Sequence, residues 1–182
     1  MRVIAGNKRG IKLISPDGKE TRPTTDKVRE AIFGSIQFEI AGKTVLDLFA
    51  GSGAMGIEAL SRGAAFCVFA DHSEAACVII NKNIILTKYE NQTMIVKNDY
   101  INTTKVFQNQ KKFDIVFIDP PYQSELYQSI LENLVFEKIL KKNALVVVES
   151  ESVLKCDSNQ LTMTKMKRYG KTYVTYYRYG EN

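Results

Sequence analysis

Thr44-Val45-Leu46-Asp47-Leu48-Phe49-Ala50-Gly51-Ser52-Gly53-Ala54-Met55-Gly56, running on into Ile57-Glu58-Ala59-Leu60, is the stretch whose reading decides the fold. An apolar strand enters a glycine-rich turn and leaves as an amphipathic helix, which is the opening unit of a Rossmann-like sheet. Gly51, Gly53 and Gly56 allow backbone and a helix N-terminus to come close to a bound cofactor. As a pattern the stretch matches the GxGxxG dinucleotide fingerprint. Asp47, four residues ahead of the first glycine, changes that reading, because a pyrophosphate placed against a carboxylate is repelled. A cofactor with a cationic sulfonium and an amino-acid head is attracted instead, so the loop Asp47, Phe49, Ala50, Gly51, Ser52 and Gly53 favours S-adenosylmethionine over NAD.

Outward from this unit, further apolar runs end in acids. Cys67-Val68-Phe69-Ala70 leads to Asp71, about 20 residues past the glycines, where an acid that grips ribose hydroxyls is expected. Met94-Ile95-Val96-Lys97 leads to Asn98-Asp99-Tyr100, whose carboxylate is placed to accept a hydrogen bond from an adenine amino group. Ile115-Val116-Phe117-Ile118 leads to Asp119-Pro120-Pro121-Tyr122. That last run reads as a buried parallel strand, so Asp119 stands at its carboxyl end, where open α/β sheets bind ligands. The two prolines fix φ and donate no N–H, leaving a wall of acceptors suited to an amino group. Tyr122 adds a flat ring on which an extruded base can stack. Taken singly, each acid is explained by a strand-end cap or turn; acids at four successive strand ends are not.

The order of elements alternates strand and helix after an N-terminal appendage. Arg2 to Ile4 and Ile11 to Ile14 predict a short hairpin, and Thr25 to Phe38 a helix with Val28, Ile32, Ser35 and Ile36 on one face. Core strands are expected near 44–49, 66–70, 93–97, 113–118 and 144–149, and helices near 54–62, 73–88, 100–109 and 125–139. Leu161 to Lys167 and Thr172 to Tyr179 predict an antiparallel hairpin that closes the sheet edge, the methyltransferase version of the fold rather than the dehydrogenase one. The chain of 182 residues, 45% apolar, has the length of one domain, with an extension over 1–40 and a catalytic core over 44–182. No run approaches the roughly 18 apolar residues of a membrane span, and the amino terminus lacks a signal-peptide core, so a cytoplasmic protein is expected. Cys67, Cys77 and Cys156 are odd in number and form no CxxC pair, so neither disulfides nor a metal site is expected; buried, reduced thiols are. His72 is the one histidine, and it is expected to face solvent.

Charge points to the substrate. Residues 1–29 hold eight Lys or Arg against three Asp or Glu, and residues 165–182 hold five against one, whereas the whole chain carries only +5. Basic ends around a mildly acidic core are expected of a protein that holds a phosphate backbone through appended elements. Tyr169, Tyr173, Tyr176, Tyr177 and Tyr179 interleave with the C-terminal cations, and most are expected to be core.

Met1-Arg2-Val3-Ile4-Ala5-Gly6, Thr21-Arg22-Pro23-Thr24-Thr25-Asp26-Lys27-Val28-Arg29-Glu30-Ala31-Ile32-Phe33, Asp47-Leu48-Phe49-Ala50-Gly51-Ser52-Gly53 and the Asp119–Tyr122 tetrad together resemble the bacterial 16S ribosomal RNA guanine-N2 methyltransferase family, of the guanine-966 type. The resemblance covers nearly the whole chain. It implies a class I methyltransferase sheet with an N-terminal β-hairpin extension, S-adenosylmethionine as cofactor, and a guanine of 16S rRNA as target, free or within the small subunit or an assembly intermediate. No membrane and no obligate protein partner are implied. Carried over by motif, Asp47 through Gly53 line the methionine end, Asp71 the ribose, Asp99 with Tyr100 the adenine, and Asp119, Pro120, Pro121 and Tyr122 the target amine; Arg2, Lys8, Arg9, Arg22 and Thr24 are expected RNA contacts, with the cofactor and Glu30 as the other partners open to Arg22. Two other readings stay open: an adenine-N6 methyltransferase, since adenine also offers an exocyclic amine, and a non-catalytic RNA-binding module. Because the glycine loop lies outside it, deletion of residues 1–20 is expected to spare cofactor binding.

Overall fold

The computed structural model describes residues 1–15, 26–110, 112–120, 126–154 and 160–180. Its parallel strands are β1 (Thr44–Leu48), β2 (Phe66–Asp71), β3 (Thr93–Lys97), β4 (Phe113–Ile118) and β5 (Leu140–Ser150), and β6 (Leu161–Tyr169) and β7 (Thr172–Tyr179) follow as an antiparallel hairpin. The helices are α1 (Asp26–Ser35), α2 (Ala54–Ser61), α3 (Glu74–Thr87), α4 (Tyr100–Phe107) and α5 (Leu126–Phe136). The seven strands lie in the order β3-β2-β1-β4-β5-β7-β6, with β7 antiparallel to β5. This is the class I methyltransferase sheet that the resemblance implies, with the C-terminal hairpin at one edge.

Side chains alternate across the pleat and bury both faces. Val45, Phe69, Ile115, Phe117, Val147 and Val174 point to one side, against Ile32 and Phe33 of α1, Ile57 and Leu60 of α2, and Ile80 and Ile84 of α3. Leu46, Leu48, Val68, Val116, Ile118, Val146 and Val148 point to the other, against Phe107 of α4 and Ile130, Leu131 and Leu134 of α5. Gly56 permits the close approach of α2 to the sheet: a Cβ there would stand 2.3 Å from the Phe69 ring and 2.5 Å from Cys67 Sγ.

The N-terminal appendage is the expected hairpin in short form, an arm with an antiparallel bridge, Arg2 to Lys12, and flanking bonds from the Val3 amide to Ile11 O and from the Gly10 amide to Val3 O. Two expectations are corrected. In α1 the buried stripe is Val28, Arg29, Ile32 and Phe33, so Phe33 replaces Ser35, and the helix stops at Ser35 ahead of a short 3-10 turn over Gln37–Glu39. Strand β5 begins at Leu140, four residues early, because Phe113 already pairs with Leu140 before the register shifts. Cys67 and Cys77 are free and buried; Cys156 lies outside the described residues. Among the described residues no helix is long and apolar enough to cross a membrane, and no group of three or more His, Cys, Asp or Glu is placed to hold a metal.

Candidate active site

Register places the strand-end residues side by side. Leu48 is paired with both Ala70 and Ile118, Ala70 with Val96, and Ile118 with Val148, so these five residues form one row across the sheet. The next row, at the carboxyl edge, is therefore Lys97, Asp71, Phe49, Asp119 and Glu149. Neighbouring strands are about 4.8 Å apart. Asp71 and Asp119 thus flank the start of the glycine loop, one strand away on either side.

The loop is held from below by carboxylates. Phe49 leaves β1 with φ 70°, and the amides of Phe49 and Ala50 both donate to Ala70 O at 3.0 Å. The Gly51 amide donates to Asp71 Oδ2 at 2.9 Å, and the Gly56 amide, in the first turn of α2, donates to Asp47 Oδ2 at 2.9 Å. Asp47 is buried. Loss of hydration, reinforced by the nearby charges of Asp119 and Asp71, pushes its carboxyl up to about 8 against the single favourable bond from Gly56. At neutral pH Asp47 therefore holds a proton when no cation is near, and a positive charge at the loop is the natural compensation for its ionisation.

Asp71 uses its other oxygen to accept from the Ser73 amide at 2.9 Å, in the turn that precedes α3. Each carboxylate oxygen keeps a second lone pair, so a ribose hydroxyl still finds an acceptor there. His72 lies 3.6 Å from Asp71 through Nδ1, and its side chain is 69% exposed, as expected. Asp99 is a helix cap: Oδ1 accepts from the Asn102 amide at 2.7 Å and Oδ2 from Asn102 Nδ2 at 2.9 Å. Tyr100 stands 6.1 Å from the Phe49 ring and its hydroxyl meets Ser129 Oγ at 3.0 Å, so the two rings form a tilted apolar wall at the loop's α4 side. Pro120 is buried and Asp119 half-buried at the end of β4; Pro121 and Tyr122, like Arg22 and Thr24, fall outside the described residues.

The arm is bolted to this site by residues that the sequence reading passed over. Glu58 of α2, fully buried, accepts from the amides of Ile4 (2.7 Å) and Ala5 (3.0 Å) and from Arg62 Nε (2.7 Å). Ser61 Oγ accepts from the Lys8 amide, and Gly6 lies so close that a Cβ would sit 1.8 Å from Ser61 O. Asn83 of α3 accepts from the Ile14 amide at 2.8 Å and donates to both Ile14 O and Ser52 O at 2.9 Å, while Ser52 Oγ approaches Met1 Sδ at 3.4 Å. One end of the arm thus touches the glycine loop through Met1, and the other reaches it through Asn83. The expectation that removing residues 1–20 spares the cofactor site is corrected: the deletion would strip partners from Glu58, Asn83 and Ser52.

Among the basic residues expected on RNA, Lys8 lies at the far end of α2 from the loop, its ammonium 5.4 Å over the Tyr89 ring. An eight-residue helix separates the two by about 12 Å. Arg2 is 4.0 Å from Asp26, and Arg2 and Arg9 line a cavity of about 210 Å³ shared with Asp26 and Glu30. The structure brings together Asp47, Phe49–Gly53, Asp71 and Asp119; it does not bring Lys8 to them. Signals for the missed anchors existed, since Asn83 lies in the stripe Ile80, Asn83, Ile84, Thr87 and Glu58 between Ile57 and Ala59, polar groups on otherwise apolar helix faces.

A family model described as conserved hypothetical protein 95 matches residues 1–178. The chain is 35% identical to YlbH of Bacillus subtilis, a provisionally named rRNA methyltransferase, over 98% of both chains. It is 38% identical to ribosomal RNA small subunit methyltransferase D of Escherichia coli, over 83% of this chain and 75% of that one. A solved structure from Escherichia coli, titled as the provisional methyltransferase yhhF, superposes with a TM-score of 0.88 at 32% identity, over 100% of this chain and 99% of that one.

Proposed function

The chain belongs to the family described as conserved hypothetical protein 95, and from that membership and the site geometry we propose that it is an S-adenosylmethionine-dependent rRNA methyltransferase that modifies the exocyclic N2 amine of a guanine in 16S rRNA, at the 966-type position. The observation that carries this reading is the row in which Asp119, followed by buried Pro120, and Asp71 stand on either side of Phe49, where the glycine loop starts. The names of the relatives in Bacillus subtilis and Escherichia coli support the RNA substrate.

The residues fit the cofactor. Asp47 lies under the loop as a buried acid whose ionisation calls for a cation, Asp71 keeps lone pairs for ribose hydroxyls, and Phe49 with Tyr100 offers an apolar wall for a flat ring. When bound, the cofactor supplies an electrophilic methyl on sulfur. The protein's part is to hold the amine: Asp119 and the Pro120 carbonyl accept its two hydrogens, so the nitrogen lone pair is drawn out of conjugation and aimed in line. Asp119 would accept the one proton that the nitrogen sheds on gaining the methyl, and the sulfur that gives the methyl up would keep the bonding electrons. Orientation of this kind can supply roughly 7 to 11 kcal/mol of the barrier. No cysteine nucleophile is required.

Tritiated methyl transfer tests the reading, with 16S rRNA, other rRNA and duplex DNA offered separately and the labelled nucleoside then mapped. N2-methylguanosine in 16S rRNA is expected. Label on adenine N6 would replace the reading by the adenine enzyme, and no transfer to any RNA would refute it.

A further inference from the structure

We propose that the turn between β6 and β7 is a grip for single-stranded substrate RNA beside the transfer site, formed by Arg168 stacked on Tyr173 with the ammonium groups of Lys167 and Lys171. The proposal rests on the rRNA methyltransferase reading and deepens it, by naming where the chain on one side of the target base is held.

Register puts the turn there. Thr175 of β7 pairs with Val148 of β5, which pairs with Ile118 of β4, the residue before Asp119. Two strand spacings, about 10 Å, therefore separate β7 from β4 at that level. Since β7 is antiparallel, its beginning projects past the carboxyl edge: Tyr173 pairs with Ser150 at the last residue of β5, and the hairpin closes one pair further, Tyr169 with Thr172. From Thr175 to Thr172 is a rise of about 10 Å at 3.4 Å per residue. The turn overhangs the flank of Asp119. Lys8, by contrast, is held beyond the opposite end of α2.

Chemistry selects the ligand. The Arg168 guanidinium lies 5.3 Å from the Tyr173 ring centroid, and its Nε donates to Gly170 O at 2.9 Å, which leaves the two terminal nitrogens for a ligand. The other arginines of the core have carboxylates: Arg29 has Asp26, Arg62 has Glu58 and Arg178 has Glu39. Among the described residues, Lys167, Arg168 and Lys171 have none, and all three are exposed. A planar cation braced on an aromatic ring, with two flexible ammonium groups, suits phosphates and splayed bases of a single strand, where the guanidinium bonds two oxygens and its face accepts a base.

Four full-length variants test this: R168A/K171A, R168K, Y173A and Y173F. Each is assayed for steady-state methyl transfer to 16S rRNA, RNA affinity at several salt concentrations, cofactor affinity by calorimetry, and melting temperature. R168A/K171A is expected to raise KM for RNA by about 10-fold or more and to flatten the salt slope by about 1.4, the value for two phosphate contacts on a single strand. Its kcat, cofactor affinity and melting temperature should match the parent. R168K should keep the salt slope yet lose affinity with the stack, as should Y173A, whereas Y173F retains the ring and should behave as the parent. A parent that methylates RNA, beside an R168A/K171A protein with unchanged KM and salt slope, overturns the grip alone. A parent that transfers no methyl to any RNA overturns the function together with the grip, and a slope lost on duplex but kept on single-stranded RNA overturns the single-strand assignment.

Discussion

Replacing Asp47 with Asn should change how stability depends on pH, by an amount fixed by burial of one carboxyl. In the folded protein burial holds the Asp47 proton up to about pH 8, against an ordinary value of 3.8. Above about pH 5 the unfolded chain has released that proton, so between pH 5 and 8 the unfolded state binds fewer protons than the folded one, and stability falls as pH rises. The slope is about 1.4 kcal/mol per pH unit well below pH 8 and half that at pH 8, so about 2 kcal/mol separates pH 6 from pH 8. Asn cannot titrate, and its Oδ1 can still accept from the Gly56 amide. Unfolding free energies of the two proteins, measured by urea titration at half-unit steps, should therefore diverge by about 2 kcal/mol in favour of Asp47→Asn between pH 6 and 8. Any pH-independent penalty of the buried amide cancels in the difference. Because the Asp119 charge contributes to the shift, Asp119→Asn should pull the Asp47 titration to lower pH. A parent-minus-variant difference that is flat from pH 6 to 8 would refute the argument that a neutral acid lies under the loop.

The same acid predicts that S-adenosylmethionine binding at pH 7 releases up to one proton, seen as a buffer-dependent enthalpy, whereas S-adenosylhomocysteine, whose sulfur is neutral, releases fewer; equal release by both would count against a sulfonium above Asp47. Asp119→Ala should lower turnover by about 10² to 10³ through loss of a preorganised acceptor while leaving cofactor affinity and melting temperature near the parent, and parental single-turnover rates would remove Asp119 from the mechanism. Glu58→Ala leaves two arm amides and the Arg62 guanidinium without their partner, so a loss of about 3 to 5 kcal/mol is expected in denaturant melts, accompanied by weaker cofactor binding. Gly56→Ala should cost at least about 1 to 3 kcal/mol by overpacking against Phe69 and Cys67, whereas Gly34→Ala in α1, which meets nothing within 4 Å, should add about 0.5 to 1 kcal/mol.

What was legible in the sequence is what is encoded locally. Uninterrupted runs such as Ile115 to Ile118 declare a strand buried on both faces, and the glycine spacing after Leu48 declares the turn, because each demands a residue type at a position fixed by its own backbone. Strand-end acids follow from those assignments, and register then sets Asp71 and Asp119 beside Phe49. Boundaries were less legible where long-range pairing overrode pattern. Lys141, Lys142 and Asn143 look like the end of a helix and the start of a turn, yet β5 already runs through them, since Phe113 pairs with Leu140 and Lys141 Nζ reaches Asp114 Oδ2 at 2.7 Å.

Charge along the chain does not say where in the fold the arm's cations stand. A count of cations along residues 1–29 cannot register that the arm's turn is fastened by Glu58 and Ser61, residues more than 50 positions away, to the end of α2 opposite the glycine loop. The C-terminal cations carried the same signal in composition, but antiparallel pairing of β7 with β5 delivers Arg168 and Lys171 to the edge where Asp119 stands. Lys8 stands about 12 Å down α2 from the glycine loop, and the hairpin turn stands about as far from Asp119, two strand spacings to the side and further along. What separates them is the side on which they stand: the turn projects past the carboxyl edge that carries Asp119, whereas Lys8 is held at Ser61, the opposite end of α2.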